Sequence, residues 1–311
     1  MKKSLIFLFA FMAAASLQVH SRYRIFEDII YYKKQHGLLS FMADDLSGGR
    51  GTGSEGNRMT MLFIRDRFEA YGLMPFEGSY LKPFPADSGL KGVNVTGFVP
   101  SRKAGSGYVI VGAHYDHLGQ IGDKIYNGAD DNASGVTALL NLAEIFGTMY
   151  KAGLGPEKNI IFAAFDAKEH NMAGSRHFVS TLGIDRDSIA CAINIDQIGT
   201  VLEPLDGKDT NFVIMLGENT LRPEDRGKAA RCNMLHTGMA LSHTYYGSEA
   251  FSGIIYRMSD QTAFHEAGIP ALLFTSGIHR HTYKTTDDTD IISYPMLKKR
   301  TLLIFHLIMS L

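Results

Sequence analysis

The stretch YVIVGAHYDHLG, residues 108–119, begins as an apolar run and ends with histidines and an aspartate. The short apolar run of residues 108–112 is typical of a buried β-strand. The polar side chains come directly after it, and in α/β folds ligands gather in the loops beyond the carboxyl ends of the strands. This one stretch therefore predicts a sheet and a functional site at the edge of that sheet.

The same alternation continues through the rest of the chain. A helical segment at 133–148 places Val136, Leu139, Leu140 and Ala143 on one face. Further β-type runs occupy residues 92–99, 159–165, 189–195, 212–216 and 270–274. Strands that alternate with helices indicate an α/β sheet layered between helices.

The two ends of this region have helical patterns. Residues 23–46 and 55–73 are predicted to be helical, and the second carries an apolar stripe formed by Met61, Leu62, Ile64, Phe68 and Tyr71. Between them, GGRGTGSEG at 48–56 is interpreted as an ordinary glycine-rich loop, because no strand precedes it and no phosphate motif fits. The apolar run 302–311 is too short to cross a bilayer and predicts a buried final helix.

Composition and charge narrow the class of protein. The chain has 311 residues, of which 45% are hydrophobic and 20% charged, which is ordinary for a globular protein. It has no repeat and no linker-like stretch, so we expect one domain over residues 22–311. The net charge of −1 gives no reason to expect a nucleic acid or an anionic membrane as partner.

The first residues, MKKSLIFLFAFMAAASLQVHS (1–21), read as a signal peptide. Two lysines precede an apolar run from Leu5 to about Ala15, which is too short to span a bilayer. A buried N-terminal helix is the alternative. We expect an exported protein, periplasmic or extracellular. In such a compartment Cys191 and Cys232 could form a disulfide or remain two buried thiols, and the sequence does not choose between them.

Chemistry-bearing residues cluster in four segments that follow strands or open a helix. Each alone has a simpler reading: Asp130 and Asp131 could cap a helix, and Asp196 or Glu169 could be solvated charges. Together they supply an imidazole and several carboxylates to one sheet edge, which is the composition of a zinc site. Without a cation such a cluster would repel itself. The segments are GAHYDHLG (112–119), NGADDNASG (127–135), FDAKEHN (165–171) and NIDQIG (194–199).

In their order and spacing these segments, with RGTGSEGNR (50–58) and SDQTAFHEAGIPAL (259–272), resemble the zinc exopeptidases that include bacterial leucyl aminopeptidases and, more distantly, glutaminyl cyclases. The resemblance covers nearly the whole chain after residue 50. It implies a three-layer fold with a mixed, mostly parallel sheet flanked by helices. It also implies two zinc ions bridged by a carboxylate, and peptide or protein N-termini as substrates.

The resemblance assigns roles to individual residues. His114 and Asp196 resemble ligands of the first zinc ion, Asp130 the bridging ligand and Glu169 a ligand of the second zinc ion. Asp116 is similar to a carboxylate that supports the His114 region, as ligand histidines generally require. Asp131 matches the residue after the bridge, where an unusual Asp–Asp peptide geometry is implied. Asp116, Asp131, Lys168 and Glu169 form the expected catalytic group.

Three positions depart from the family pattern. Lys168 stands where the family has a glutamate that acts as general base, Lys284 where it has a ligand histidine, and Gln261 where it has another histidine. A protonated lysine has no lone pair with which to bind zinc or accept a proton. We therefore expect Lys284 to occupy or abut the second metal position and to pair with Asp130 or Glu169. Lys168 would then be a further charge partner or a surface residue.

These departures leave the number of metal ions and the activity open. One zinc ion would bind at His114, Asp130 and Asp196, or a shifted loop would restore a second site with His279, His281 or His170. The leading hypothesis is an aminopeptidase-type exopeptidase with Glu169 as the base. The alternatives are a non-catalytic member that binds peptides or a partner protein, and a glutaminyl-cyclase-like acyltransferase. The chemistry of a glutaminyl cyclase also requires a glutamate at the position where this chain has Lys168.

Overall fold

The computed structural model describes residues 23–311, so the signal peptide predicted at 1–21 lies outside the described residues. Within 23–311 a nine-stranded mixed sheet lies between two layers of helices. This is the three-layer α/β architecture that the sequence predicts.

The strands agree with the predicted β-type runs to within two residues at either end. The strands are β1 (Met74–Pro75), β2 (Leu81–Pro85), β3 (Lys91–Val99), β4 (Tyr108–His114), β5 (Gly119–Ile121), β6 (Lys124–Tyr126), β7 (Asn159–Phe165), β8 (Ile189–Ile195), β9 (Phe212–Leu216), β10 (Ala240–Ser242) and β11 (Ala271–Thr275). Strands β1, β2 and β10 and the short hairpin β5–β6 had no counterpart in the sequence prediction.

The helices differ from prediction mainly at their ends. The pattern at 23–46 is divided, with helical residues at 23–27 followed by a separate helix. The helices are α1 (Tyr32–Met42), α2 (Glu55–Tyr71), α3 (Gly135–Lys151), α4 (Ala173–Thr181), α5 (Lys228–Cys232), α6 (Glu249–Tyr256), α7 (Gln261–Glu266) and α8 (Tyr294–Ser310).

The order of strands brings the polar segments to one edge of the sheet. The sheet runs β1-β3-β7-β4-β8-β11-β9-β10, with β2 also paired to β3. The four neighbours β7, β4, β8 and β11 are parallel. His114 lies opposite Phe165, and Gly112 lies opposite Asn194, so the residues that follow the three strands leave the sheet at similar heights. Their side chains meet at the carboxyl edge, as expected for this class of fold.

Both faces of the sheet are covered by apolar helix surfaces. Helices α1, α2, α3 and α8 pack on one face, where Phe146 contacts Phe162 and Phe305. Helices α4 and α7 pack on the other face through Phe178 and Phe264. The final helix α8 is buried, as predicted, and no helix among residues 23–311 is both long and apolar enough for a membrane span. Each face is therefore removed from water by helices of the same chain.

Both cysteines are buried free thiols. Burial raises the pKa of Cys191 well above its usual value. Of the two readings that the sequence allowed, the described structure has the unpaired thiols.

Candidate metal centre

His114, the last residue of β4, lies at the centre of the carboxyl edge and is fully buried. Its Nδ1 lies 3.0 Å from the backbone oxygen of Asp116; a carbonyl only accepts, so Nδ1 carries the proton. The other ring nitrogen, Nε2, faces two carboxylates, at 3.3 Å from Asp131 Oδ1 and 3.4 Å from Asp196 Oδ1. Nε2 makes no hydrogen bond to either oxygen. This is the orientation of a ligand histidine held by its second nitrogen.

The two carboxylates around Nε2 are buried and incompletely bonded. Neither oxygen of Asp131 has a hydrogen-bond partner, and Asp196 Oδ1 has none. Leaving buried acceptors unpaired costs free energy, which a cation would offset. Neighbouring ligands of a tetrahedral zinc ion with bonds of about 2.0–2.1 Å lie about 3.3–3.4 Å apart. The distances from His114 Nε2 to Asp131 and to Asp196 therefore match the spacing of neighbouring zinc ligands.

The bridging position predicted for Asp130 has to be moved by one residue. Asp130 Oδ1 accepts from the Gly199 N–H at 2.6 Å, and Oδ2 lies 3.1 Å from His279 Nε2. Asp131, next in the chain, turns its carboxylate to His114 instead. The reason is local: Asp131 has non-helical φ and ψ of −106° and 87°, so neighbouring side chains face different sides. The resemblance implied an unusual peptide geometry between the two aspartates, and the structure has a cis peptide one position later, between Asp131 and Asn132.

Asp287, which the sequence analysis did not single out, holds this turn in place. Its two carboxylate oxygens accept the backbone N–H groups of Asp130 and Asp131 at 2.8 and 3.0 Å. Burial, together with the nearby charge of Asp130, raises the pKa of Asp287 to about 7. The acidic run in 282-TYKTTDDT-289 was the available signal, but the sequence could not show which aspartate turns inward.

Lys168 occupies the place beside the carboxylates that the sequence analysis gave to Lys284. It is buried, and its Nζ lies 2.9 Å from Glu169 Oε1, 3.2 Å from Tyr283 Oη and 3.9 Å from Asp131 Oδ1. Burial alone would lower the pKa of Lys168, but the carboxylates around it hold that pKa well above its ordinary value. An ammonium group therefore lies among these acidic side chains.

Lys284 does not lie in the centre, because its side chain is exposed on a surface turn. The inward contact of that turn is made by its neighbour Tyr283, whose ring lies 5.4 Å from the Lys168 ammonium. The expectation that Lys284 pairs with Asp130 or Glu169 is wrong, and Lys168 is the residue that pairs.

Glu169 lies at the rim of the centre and is positioned by Asp116. The two oxygens of Asp116 accept the backbone N–H groups of Lys168 and Glu169 at 3.0 and 3.1 Å. Burial raises the pKa of Glu169 to about 7 despite the opposing charge of Lys168. One oxygen from each of Asp131 and Glu169 lies within 4.8 Å of a His114 nitrogen, so these three residues could share an ion. Asp116 thus lies where its predicted supporting role requires.

Among the histidines near the centre, the one closest to Asp131 after His114 is His117, which the sequence analysis did not consider. Its Nδ1 lies 3.9 Å from Asp131 Oδ2, and neither ring nitrogen has a hydrogen bond. Burial lowers the pKa of His117 to about 4, which leaves a neutral imidazole stacked on the Tyr283 ring. His279 instead faces Asp130. Two further candidates lie elsewhere: His281 is bonded to Thr286, and His170 is exposed.

The glycine-rich segment 48–56 does more than connect two helices. The buried guanidinium of Arg50 donates to four backbone oxygens at 2.5–2.9 Å. Those oxygens belong to Met42, Tyr115, Asn127 and Gly128. Arg50 therefore joins the end of α1 to the loops that carry the histidines and the aspartates.

A network of hydrogen bonds supports Asp196 from behind. It includes Gln261, the third position that departs from the family pattern. Ser259 Oγ donates to Asp196 Oδ2 at 2.5 Å, and the Asn194 amide donates to both Ser259 Oγ and Gln261 Oε1 at 2.8 Å. Gln261 is thus a hydrogen-bond partner in the layer behind a candidate ligand. Its side chain is fully buried, and its Nε2 donates to the backbone oxygen of Tyr256, so both ends of the amide have hydrogen-bond partners.

A pocket with a mixed apolar and polar lining opens beside the centre. Lys168 and Asp196 lie on its inner wall. Its apolar lining comes from Tyr245, Ile255, Met258, Leu273, Ile278 and Tyr283. An apolar side chain placed in it would lie directly against the candidate metal ligands.

Known proteins are similar to this chain in sequence and in structure. Aminopeptidase YwaD of Bacillus subtilis is 31% identical over 173 residues, which cover 54% of this chain and 32% of that protein. The chain spans about a third of the length of the curated relatives it matches. A solved zinc aminopeptidase of Bacillus subtilis has a TM-score of 0.69 at 14% identity, covering 89% of this chain and 94% of that one. Porphyromonas gingivalis glutaminyl cyclase has a TM-score of 0.68 at 16% identity, covering 90% and 98%.

These two solved structures share the fold, while the family assignment comes from the sequence. The model of peptidase family M28 matches residues 94–308, which is more than half of the chain and includes His114, Asp131, Lys168, Glu169 and Asp196. The protein is therefore a member of peptidase family M28.

Proposed function

We propose that the protein is a metal-dependent exopeptidase of aminopeptidase type whose centre holds one zinc ion at His114, Asp131 and Asp196. The observation that carries this proposal is the unbonded Nε2 of His114 at 3.3 and 3.4 Å from two buried carboxylates. Membership of the peptidase family and the sequence similarity to an aminopeptidase support the reaction class.

Side chains of the protein would transfer the proton and bind the substrate. When bound, zinc would supply Lewis acidity and a more acidic water molecule. Glu169 accepts the proton, since a carboxylate with a pKa of about 7 suits a base near neutral pH. The pocket beside Lys168 and Asp196 receives the side chain of the substrate's N-terminal residue.

The position of Lys168 is the reason that we propose one zinc ion at this centre and not two. Its ammonium lies 2.9 Å from Glu169 and 3.9 Å from Asp131, so a second divalent cation bound there would meet a fixed positive charge. The same ammonium forms an ion pair with the base. A missing or weakened general base typically lowers the rate by about 10²- to 10⁴-fold, so we expect a slow enzyme.

The Lys168–Glu169 pair also favours a second candidate function. A glutamate held at 2.9 Å by a buried ammonium is a poor proton acceptor. In that case the centre would bind peptides or a partner protein without cleaving them, and the pocket would serve as a binding site.

The first test is the number of zinc ions per chain, measured after metal removal and titration with zinc. We expect one ion at this centre in the wild type and none in Asp131→Asn. In Lys168→Glu, which removes the fixed positive charge beside Glu169, we expect a second ion and higher aminopeptidase activity on peptide amides. Lys284→Glu, which changes an exposed lysine outside the centre, is the matched control.

The outcomes separate the two candidates. A gain of activity in Lys168→Glu with no activity in the wild type supports the non-catalytic reading. Activity in the wild type that depends on Glu169 supports the enzyme. Zinc binding that is unchanged by Asp131→Asn would contradict the proposed centre for both.

Export remains part of the proposal, supported by the charge and length pattern of residues 1–21. The test is the N-terminal sequence of the protein recovered from the periplasm or medium. A start between residues 16 and 22 is expected, and retention of Met1 in that fraction would contradict it.

A further inference from the structure

A second cluster of metal-binding side chains lies away from the catalytic edge. Glu27, His236 and His306 bring one carboxylate oxygen and two imidazole nitrogens within 4.8 Å of one another. They come from three distant parts of the chain: the helical residues 23–27, the turn Asn233–Thr237 and helix α8. We propose that these three side chains bind a divalent transition metal ion of the zinc class, which fastens the three segments together.

The contacts within the cluster suit such an ion. His306 Nε2 lies 3.0 Å from Glu27 Oε1, and the rings of His236 and His306 stack with centroids 3.3 Å apart and planes 13° apart. Ligand atoms of one tetrahedral zinc ion lie about 3.3–3.4 Å apart, so small side-chain rotations bring the three groups to that spacing. Two imidazoles and a carboxylate are a ligand set that zinc accepts in proteins.

The three residues differ in how deeply they are buried. His306 is buried against Phe305, while Glu27 and His236 are partly exposed. The ion would therefore enter from solvent on the Glu27 and His236 side. A buried imidazole fixed on a long helix would supply the rigid ligand of the set.

The cluster is remote from His114. Helix α8 begins beside the catalytic edge, where the Ser293 N–H donates to the oxygen of Gly199 at 2.8 Å. His306 lies thirteen residues further along the chain, and at 1.5 Å per residue that is about 20 Å along the helix. This ion would be structural: it ties residues near the start of the described chain to its final helix. Because it needs all three segments in place, it would bind the folded state and stabilise it.

The test compares His236→Gln with His243→Gln, an exposed histidine that pairs with Glu218 outside the cluster. In purified full-length protein, zinc titration should give one ion fewer per chain in His236→Gln than in wild type and His243→Gln. Zinc should raise Tm by on the order of 5 °C in Asp131→Asn, which lacks the catalytic ligand, and this rise should vanish when His236→Gln is added.

The controls test the structural ion independently of the proposed enzymatic activity. Peptidase activity, where present, should be unchanged in His236→Gln, so loss of activity is not the readout. If His236→Gln fails to fold, Glu27→Gln carries the same prediction. Equal zinc counts in wild type and the folded variant, or a rise in Tm that survives the substitution, would overturn the structural ion.

Discussion

Asp130 and Asp131 are neighbours with different surroundings. Asp131 faces His114 with both oxygens unbonded, while Asp130 accepts from Gly199 and contacts His279. In a regular helix or strand the sequence spacing would indicate which of two adjacent side chains faces a site. Here the turn is irregular, so the assignment depends on backbone angles that the sequence does not fix.

The two aspartates should therefore respond differently to the same substitution. We expect Asp131→Asn to lower zinc affinity at the centre by at least about 100-fold, because a charged ligand is lost. Asp130→Asn should keep the zinc ion but lower the free energy of unfolding by about 1–3 kcal/mol, because its buried partners lose an acceptor. Zinc titration and urea unfolding of both variants distinguish the roles. Loss of zinc in Asp130→Asn with retention in Asp131→Asn would reverse our assignment.

Asp166 predicts a pH dependence of stability. It accepts from Asn57 Nδ2 and the Val93 N–H at 3.0 Å, and burial, followed by the charge of Asp116, raises its pKa to about 6. The folded protein thus binds this proton more tightly than the unfolded chain, in which the pKa is about 3.9. Stability from this group is therefore present below about pH 4 and is lost as pH rises to about 6.

The measurement is the free energy of unfolding of wild type minus that of Asp166→Asn. We expect this difference to fall by up to about 3 kcal/mol between pH 4 and 6 and to be flat above. The exposed variant Asp123→Asn should follow the wild-type profile. A difference that rises with pH would mean that the hydrogen bonds to Asp166 outweigh its burial.

At the scale of elements, the position of the site depends on connections between loops. The four central strands are parallel, so their carboxyl ends share one edge, but the loops beyond them need their own support. Arg50 supplies much of that support through four backbone oxygens. The sequence predicted a glycine-rich loop at 48–56. Only the structure shows that Arg50 in this loop connects distant parts of the chain.

We expect Arg50→Met to lower the free energy of unfolding by about 3 kcal/mol or more, since several buried carbonyls lose their donor. The matched control is Arg58→Gln, whose solvent-exposed pair with Glu55 should contribute little to the free energy of unfolding. Chemical denaturation of both variants gives the comparison. Similar losses in the two variants would show that Arg50 is not a central connection.

At the scale of the whole molecule, the helices on both faces of the sheet bury its strands without a covalent cross-link. Cys191 in β8 and Cys232 at the end of α5 are buried and unpaired. We expect dithiothreitol to leave Tm unchanged, because there is no disulfide to reduce. A thiol reagent should label Cys191 only when the protein unfolds, whereas a fall in Tm with reductant would reveal a cross-link.

The sequence by itself determined the class of fold, the positions of the main buried strands and the edge at which the site forms. These features follow from apolar periodicity, which is a local property, and from the rule that polar residues after parallel strands share an edge. It also placed His114, Asp116, Glu169 and Asp196 at that edge, because each lies at or shortly after the end of a strand.

Only the tertiary structure decided which groups touch. It selected Asp131 over Asp130, Lys168 over Lys284 and His117 over the three histidines considered first. These residues lie in irregular turns, where side-chain direction is set by hydrogen bonds from distant residues such as Asp287 and Arg50. Such contacts join parts of the chain more than 70 residues apart, and no pattern within a single segment contains them.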